Sequence, residues 1–131
     1  MLVEQAARAG RAGRWGWLVG WRIENLGTAP LTLLSSRLPH SQFWSGEEEL
    51  NPSPIVPPGE IFLLERSVRC SEPAGAAVEN AFPILRVRWM DEPWRIFARF
   101  RVVFNEEAAP STVTELITTQ QVGLSERNDK L

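Results

Sequence analysis

The chain has 131 residues, 44% of them hydrophobic, and a formal net charge of −2. That length suits one domain with a real core, and that charge gives no general attraction to nucleic acid or anionic membranes. Cys70 is the single cysteine and His40 the single histidine, so an internal disulfide and a cysteine-based zinc cluster are excluded.

Residues 1–13 are rich in Ala, Gly and Arg and read as a flexible N-terminal arm. The pattern then changes. Trp15, Trp17, Val19, Trp21 and Ile23 recur at period two, with Gly16, Leu18, Gly20, Arg22 and Glu24 between them. Alternation of this kind marks a half-buried strand; helical spacing would scatter the tryptophans around the axis. Asn25-Leu26-Gly27-Thr28-Ala29-Pro30 has turn composition. A second strand runs from Leu31 to Leu38, with Pro39 as its stop. Phe43 and Trp44 suit a short strand, and Glu47, Glu48 and Glu49 a solvated acidic loop tip. Residues 51–60 form a proline-rich connector, in which Pro58-Gly59 suits a type II turn because Gly accepts positive φ at the second central position. Ile61 to Cys70 is the next strand, and its continuously apolar start, Ile61 to Leu64, fits a segment covered on both sides. Residues 71–80 read as a loop. Thr112 to Val122 is a threonine-rich final strand, and residues 124–131 a polar tail.

The most informative stretch is Ile84 to Phe104, two strands folded back through Met90-Asp91-Glu92-Pro93. With Trp89 opposite Trp94, Arg88 stands opposite Arg95. One face then carries Leu85, Val87, Trp89, Trp94, Ile96, Ala98, Phe100, Val102 and Phe104. The other carries Ile84, Arg86, Arg88, Arg95, Phe97, Arg99 and Arg101. A one-residue slip would bury the arginines, so the pattern specifies these faces strongly. About seven strands separated by turn signals, with no long helix, predict an all-β antiparallel sandwich over residues 14–123.

Two segments carry a resemblance. One is Trp21 to Gly27 followed by Pro30-Leu31-Thr32-Leu33; the other is Ile55-Val56-Pro57-Pro58-Gly59-Glu60 running into Ile61 to Leu64. Together they resemble the bacterial immunoglobulin-like accessory domains, such as the CARDB and related late-set groups. There, a strand ends in an Asn-x-Gly turn and a Pro-Gly-Glu-like turn opens a later strand. The resemblance implies a seven-stranded immunoglobulin-like sandwich with roles in adhesion, spacing or assembly, and it supplies no catalytic residues.

The chemistry-bearing residues are sparse. A Ser-His-Asp site would need His40 with Asp91 or Asp129, the only aspartates, but Asp91 suits the hairpin turn and Asp129 the polar tail. Adjacent glutamates at 47–49 would not all point at one ion and lack calcium-loop spacing. The glycines at 10, 13, 16 and 20 enter a strand instead of opening a helix, so they form no phosphate cradle. Cys70 reads as a small buried apolar residue. The tryptophans on the inward faces read as core, with Trp15 and Trp44, near strand ends, the more exposed.

The sequence therefore predicts a non-enzymatic structural or protein-interaction module without cofactor or metal. Its contact surface is the arginine-rich face Arg86, Arg88, Arg95, Phe97, Arg99 and Arg101, presented to a protein partner with an acidic surface or to a second copy, for which Glu47 to Glu49 would supply the acid. The competing structural reading pairs these arginines with Glu24, Glu65 or Glu115 on neighbouring strands. A sandwich binding carbohydrate or another small ligand is the alternative, which an aromatic-lined cleft would favour. With no signal-peptide core and no apolar run long enough to span a bilayer, a cytoplasmic location without membrane partners is expected.

Overall fold

A computed structural model describes residues 1–14 and 16–122. It is all-β. The strands are β1 (Leu2–Gln5), β2 (Gly10–Ala12), β3 (Gly16–Glu24), β4 (Leu31–His40), β5 (Phe43–Glu49), β6 (Ile55–Val56), β7 (Ile61–Arg69), β8 (Ala77–Ala81), β9 (Ile84–Trp89), β10 (Glu92–Phe104) and β11 (Pro110–Gln121). All pairings are antiparallel, in the order β1-β3-β7-β5-β4-β9-β10-β11. The sheet curls until β1 lies beside β11, which makes it nearly closed and barrel-like.

The expected seven strands become eleven for a simple reason. Three neighbours are interrupted strands. β1 and β2 share one flank of β3, β5 and β6 share one flank of β4, and β9 and β8 share one flank of β10. The breaks fall at residues 6–9, 50–54 and 82–83, so the barrel has eight rails, three of them jointed. Residues 1–13, read from composition as a loose arm, contain β1 and β2. Val3 is fully buried there, because its strand pairs with Trp21 to Glu24. The polar tail 124–131 and Trp15 lie outside the described residues.

Several boundaries move, each with a physical cause. β4 does not stop at Pro39. It continues to His40, which pairs with Phe43 across a two-residue turn. Proline is tolerated there because β9 has already ended opposite Arg37, so no neighbour asks Pro39 for a donor. Glu47 to Glu49 lie in β5, not at a loop tip. Residues 77–80, read as loop, form β8 with Ala81, against Phe100 to Val103. The start of β7 is covered on one side only: Leu64 is buried, whereas Ile61 and Leu63 are about half exposed. Leu63 lies over Gly20 of β3, where a Cβ would stand 3.3 Å from its Cδ1.

The turns of the two familiar segments touch. Asn25 N–H donates to Glu60 O at 3.0 Å, and Gly59 N–H donates to Asn25 O at 2.7 Å. Gly59 has φ +80° and Glu60 N–H returns to Pro57 O at 3.1 Å, the type II geometry expected of Pro58-Gly59. The buried Asn25 side chain completes the joint: its amide donates to Ala29 O (2.8 Å) and Val56 O (2.9 Å), and its Oδ1 accepts Gly27 N–H (2.9 Å).

The core is one cluster on the inner surface of the curled sheet. Trp21 stacks on Phe100 at 5.6 Å between centroids and meets Phe43 edge-on at 6.2 Å. Trp17 and Trp21 are buried as the alternation required, Trp44 is 40% exposed, and Trp89 and Trp94 are half-buried.

Two joints in the wrapped sheet are made by side chains. Where β1 meets β11, the Gln5 carboxamide accepts from Thr112 N–H (2.7 Å) and hydroxyl (2.8 Å), and Thr114 Oγ1 donates to Val3 O. Where β5 meets β7, the backbone ladder is a single pair, Trp44 with Arg69. There the buried Arg66 guanidinium donates to Ser36 O and Oγ, both 2.7 Å, and to Gly46 O. Ser45 Oγ adds a bond to Ser67 O at 2.8 Å.

Candidate functional site

The hairpin that was to carry the arginine face forms, with a tighter turn. Met90 and Asp91 both have positive φ (51° and 60°), so a two-residue type I′ turn closes it and Glu92 pairs with Trp89. Relative to the expected register, each β10 residue meets the β9 residue two places earlier. Trp94 stands opposite Val87, and Arg95 opposite Arg86; Arg88 meets Pro93. Because the shift is two residues, no side chain changes face. Pro93 fits inside the strand because β11 reaches only as far as Trp94, leaving no ladder partner for a missing N–H.

The two faces separate as the sequence requires. Leu85, Val87, Ile96, Ala98, Phe100, Val102 and Phe104 are buried; Arg86, Arg88, Arg99 and Arg101 are exposed, and Arg95 and Phe97 half-buried. Ile84, assigned to the outer face, is buried.

Charge on the outer face is largely balanced from within. Arg86 lies 3.4 Å from Glu49 and 3.8 Å from Glu47; Arg37 lies 4.0 Å from Glu47. These carboxylates offset the like-charge opposition of Arg86 and Arg95. Arg99 reaches Glu115 at 3.9 Å and Arg101 donates to Glu79 at 2.7 Å. Of the three partners expected from sequence, only Glu115 is in place. Glu24 and Glu65 stand on β3 and β7, separated from β9 and β10 by β4 and β5. The sequence did not reveal Glu47, Glu49 and Glu79 as partners, because the acidic half of β5 read as a loop tip and β8 as part of a loop. Glu48, between the two, points the other way and approaches Arg66 at 3.9 Å, as strand alternation demands. Exposed pairs of this kind contribute roughly 0–1 kcal/mol each.

What the ion pairs leave is an aromatic groove. Phe97 packs on Phe82 at 6.1 Å between centroids, and Arg99, Leu116 and Thr118 complete the hollow. Leu116 and, two pairs further along β11, Val113 are about half exposed. Phe82 escaped the sequence reading because it sits in the break between β8 and β9.

His40 and Asp91 are far apart in role. His40 Nδ1 accepts the Gln42 N–H at 3.1 Å within its own turn, and Asp91 lies in the type I′ turn. Cys70 is buried, and burial, with a smaller contribution from Glu72, pushes its thiol up to about 11. Desolvation lowers the Arg66 guanidinium from its ordinary value, opposed by Glu48 and Glu47.

A second concavity lies on the inner side of the same hairpin, at one end of the barrel. Trp89 and Trp94 meet edge-to-face at 6.1 Å. With Met1, Asn25, Leu31, Val87, Ile96 and Thr119 they line an open hollow of about 190 Å³. The Trp94 Nε1 hydrogen is shielded from solvent and has no acceptor among the described residues. Gly27 leaves room for the Asn25 side chain, since a Cβ there would stand 3.3 Å from its Oδ1, while the Trp89 indole nitrogen would be in ordinary contact at 3.6 Å. Alternation placed both tryptophans inward; that they stop short of full burial and leave a hollow was not readable from it.

No protein-family model matches the chain, and neither the curated proteins nor the solved structures yield a match.

Proposed function

We propose that this protein is a non-enzymatic protein-interaction module of immunoglobulin-like sandwich type, which presents the outer face of β9, β10 and β11 to a protein partner. The sandwich reading draws support from the two side-chain joints. They divide the wrapped sheet into β1-β3-β7 and β5-β4-β9-β10-β11. The first order corresponds to strands A-B-E of an immunoglobulin domain and the second to C′-C-F-G, with β11 added beside G. The likeness to bacterial accessory domains would then rest on the contact between the Asn25 and Gly59 turns.

One observation carries the interaction reading: an aromatic groove, Phe97 against Phe82, lies open on the outer sheet face within a frame of arginines. Half-buried aromatic and arginine side chains are the groups that anchor protein interfaces. Glu47 and Glu49 are engaged with Arg37 and Arg86, so they do not serve as the acidic patch for self-association. The partner is therefore a different protein, with an apolar side chain for the groove and carboxylates around it.

The test is affinity capture with three variants. Phe97→Ala and the double variant Arg95→Glu/Arg99→Glu should lose the partner that the wild type retains. Leu63→Ser, on the β3–β7 side, should keep it. Capture and elution volume unchanged in both outer-face variants would end this reading.

A further inference from the structure

The free edge of β11 is separate from the outer face that takes a different protein, and what it binds goes beyond that reading and stands without it. We propose that two copies of this chain pair antiparallel along Ile117 to Gln121, about a two-fold axis at Thr119, and so join their sheets into one.

Main-chain geometry defines the edge. β11 pairs with β10 on one flank. On the other, β1 reaches it through Gln5 at Thr112 and Val3 at Thr114. Beyond these, no described strand pairs with that flank of Ile117 to Gln121. Phe104 donates its N–H to Ala76 O and accepts Gly75 N–H, both on the β8 side of β10. Strand alternation turns the main-chain groups of Ala98, Ile96 and Trp94 the same way, away from β11. Their partners on β11, which are Ile117, Thr119 and Gln121, therefore direct their own N–H and C=O groups to the open flank.

Composition selects a strand as the guest. Natural sheet edges are guarded by charges, proline, bulges, inward-pointing ionic groups or simple shortness. Among the described residues the other free flanks are guarded in these ways. The Arg66 guanidinium spans that of β7, Glu47 to Glu49 stand on β5 and Glu79 on β8; β2 and β6 are three and two residues long. Leu116 to Val122 has no charge, proline or glycine, and the β11 bulge falls before it, at Glu115. A run of that composition favours pairing with another strand.

A second copy fits the edge. With Thr119 on the axis, Thr119 meets its own counterpart, Thr118 meets Gln120 and Ile117 meets Gln121. Threonine pairs are favourable across strands, and no like charges are opposed. The arginine faces stay apart, because Gln120 and Thr118 stand between Arg95 of one copy and Phe97 of the other. Those three strand spacings amount to about 14 Å, further than the ~8 Å over which exposed charges act at physiological salt. On the inner side, Ile117 of the second copy stands opposite Gln121, the ladder partner of Trp94, at the rim of the open hollow. Each copy spends its unguarded edge on the other, so pairing stops at the dimer. The edge is short, which makes the dimer weak and concentration-dependent.

Sedimentation velocity over a concentration series tests this. The wild type should move from monomer towards dimer as concentration rises. Thr119 is exposed, so charged side chains are accommodated there without unfolding, which far-UV circular dichroism checks. Thr119→Lys and Thr119→Glu each set like charges face to face on the axis, and each alone should stay monomeric across the series. An equimolar mixture of the two should dimerise, because lysine then faces glutamate. Leu63→Ser, on β7, should dimerise as the wild type does. Three results would each overturn the proposal. They are a wild type that is monomeric at every concentration, a Thr119→Lys protein that dimerises like the wild type, and a mixture no more associated than its two components.

Discussion

The Trp21 indole N–H donates to Thr112 Oγ1 at 3.0 Å, and the same hydroxyl donates to Gln5 Oε1 at 2.8 Å. Gln5 and Trp21 are ladder partners of β1 and β3, and β11, which shares no backbone ladder with either strand, is thus tied to both by one threonine. Its own N–H also goes to Gln5, at 2.7 Å. The Gln5 carboxamide stands in for a stretch of backbone along the line where the barrel closes.

Thr112→Val should therefore destabilise the fold by about 1–3 kcal/mol, since it leaves the buried Trp21 N–H and the Gln5 oxygen short of a partner. Thr112→Ser should restore most of the loss. Urea unfolding followed by tryptophan fluorescence measures both. A double-mutant cycle with Gln5→Ala should give a coupling of about 0.5–3 kcal/mol. Strict additivity would show that the joint is not cooperative.

Arg66 makes the opposite joint, with Ser36 and Gly46 as acceptors and the exposed Glu48 at 3.9 Å. If the carbonyl fork matters more than the ion pair, Arg66→Lys should cost about 2 kcal/mol, because an ammonium cannot span two acceptors in a planar fork. Glu48→Gln should cost less than about 1 kcal/mol. Equal losses in denaturant titrations would assign the stabilisation to charge instead.

Met90 and Asp91 both occupy left-handed backbone, which is unfavourable for residues with a Cβ. Met90→Asn/Asp91→Gly supplies the preferred type I′ pair and should stabilise the protein by about 1 kcal/mol. Thermal unfolding reads this directly. A lower melting temperature would contradict the two-residue turn.

Burial raises the Cys70 thiol to about 11. At pH 8 its reaction with iodoacetamide should be roughly a hundredfold slower in the folded protein than in urea, since the thiolate is the reacting form. The rate should climb as pH approaches the raised value. Labelling at the same rate with and without urea would place the thiol at the surface.

Along β3 and, Ile84 apart, along the β9–β10 hairpin, the sequence alone determined which side faces in. Period-two alternation through Trp17, Val19, Trp21 and Ile23, and again through Leu85 to Phe104, follows from strand geometry, and even the misread hairpin turn left it intact because the register moved by two. The turn at Pro58-Gly59 was equally legible, since proline and glycine restrict or free their own backbone. Arg66 lay on the inward stripe between Leu64 and Val68, a signal present in the alternation but not used. Partnership was decided only by the tertiary structure. Whether the arginines of β9 and β10 meet Glu47, Glu49 and Glu79 or Glu24 and Glu65 depends on strand order, which pairs residues far apart in the chain. The same holds for the jointed strands, for the Phe82–Phe97 groove and for the hollow under Trp89 and Trp94. Periodicity is a local property of the backbone, whereas these features arise where distant segments close on one another.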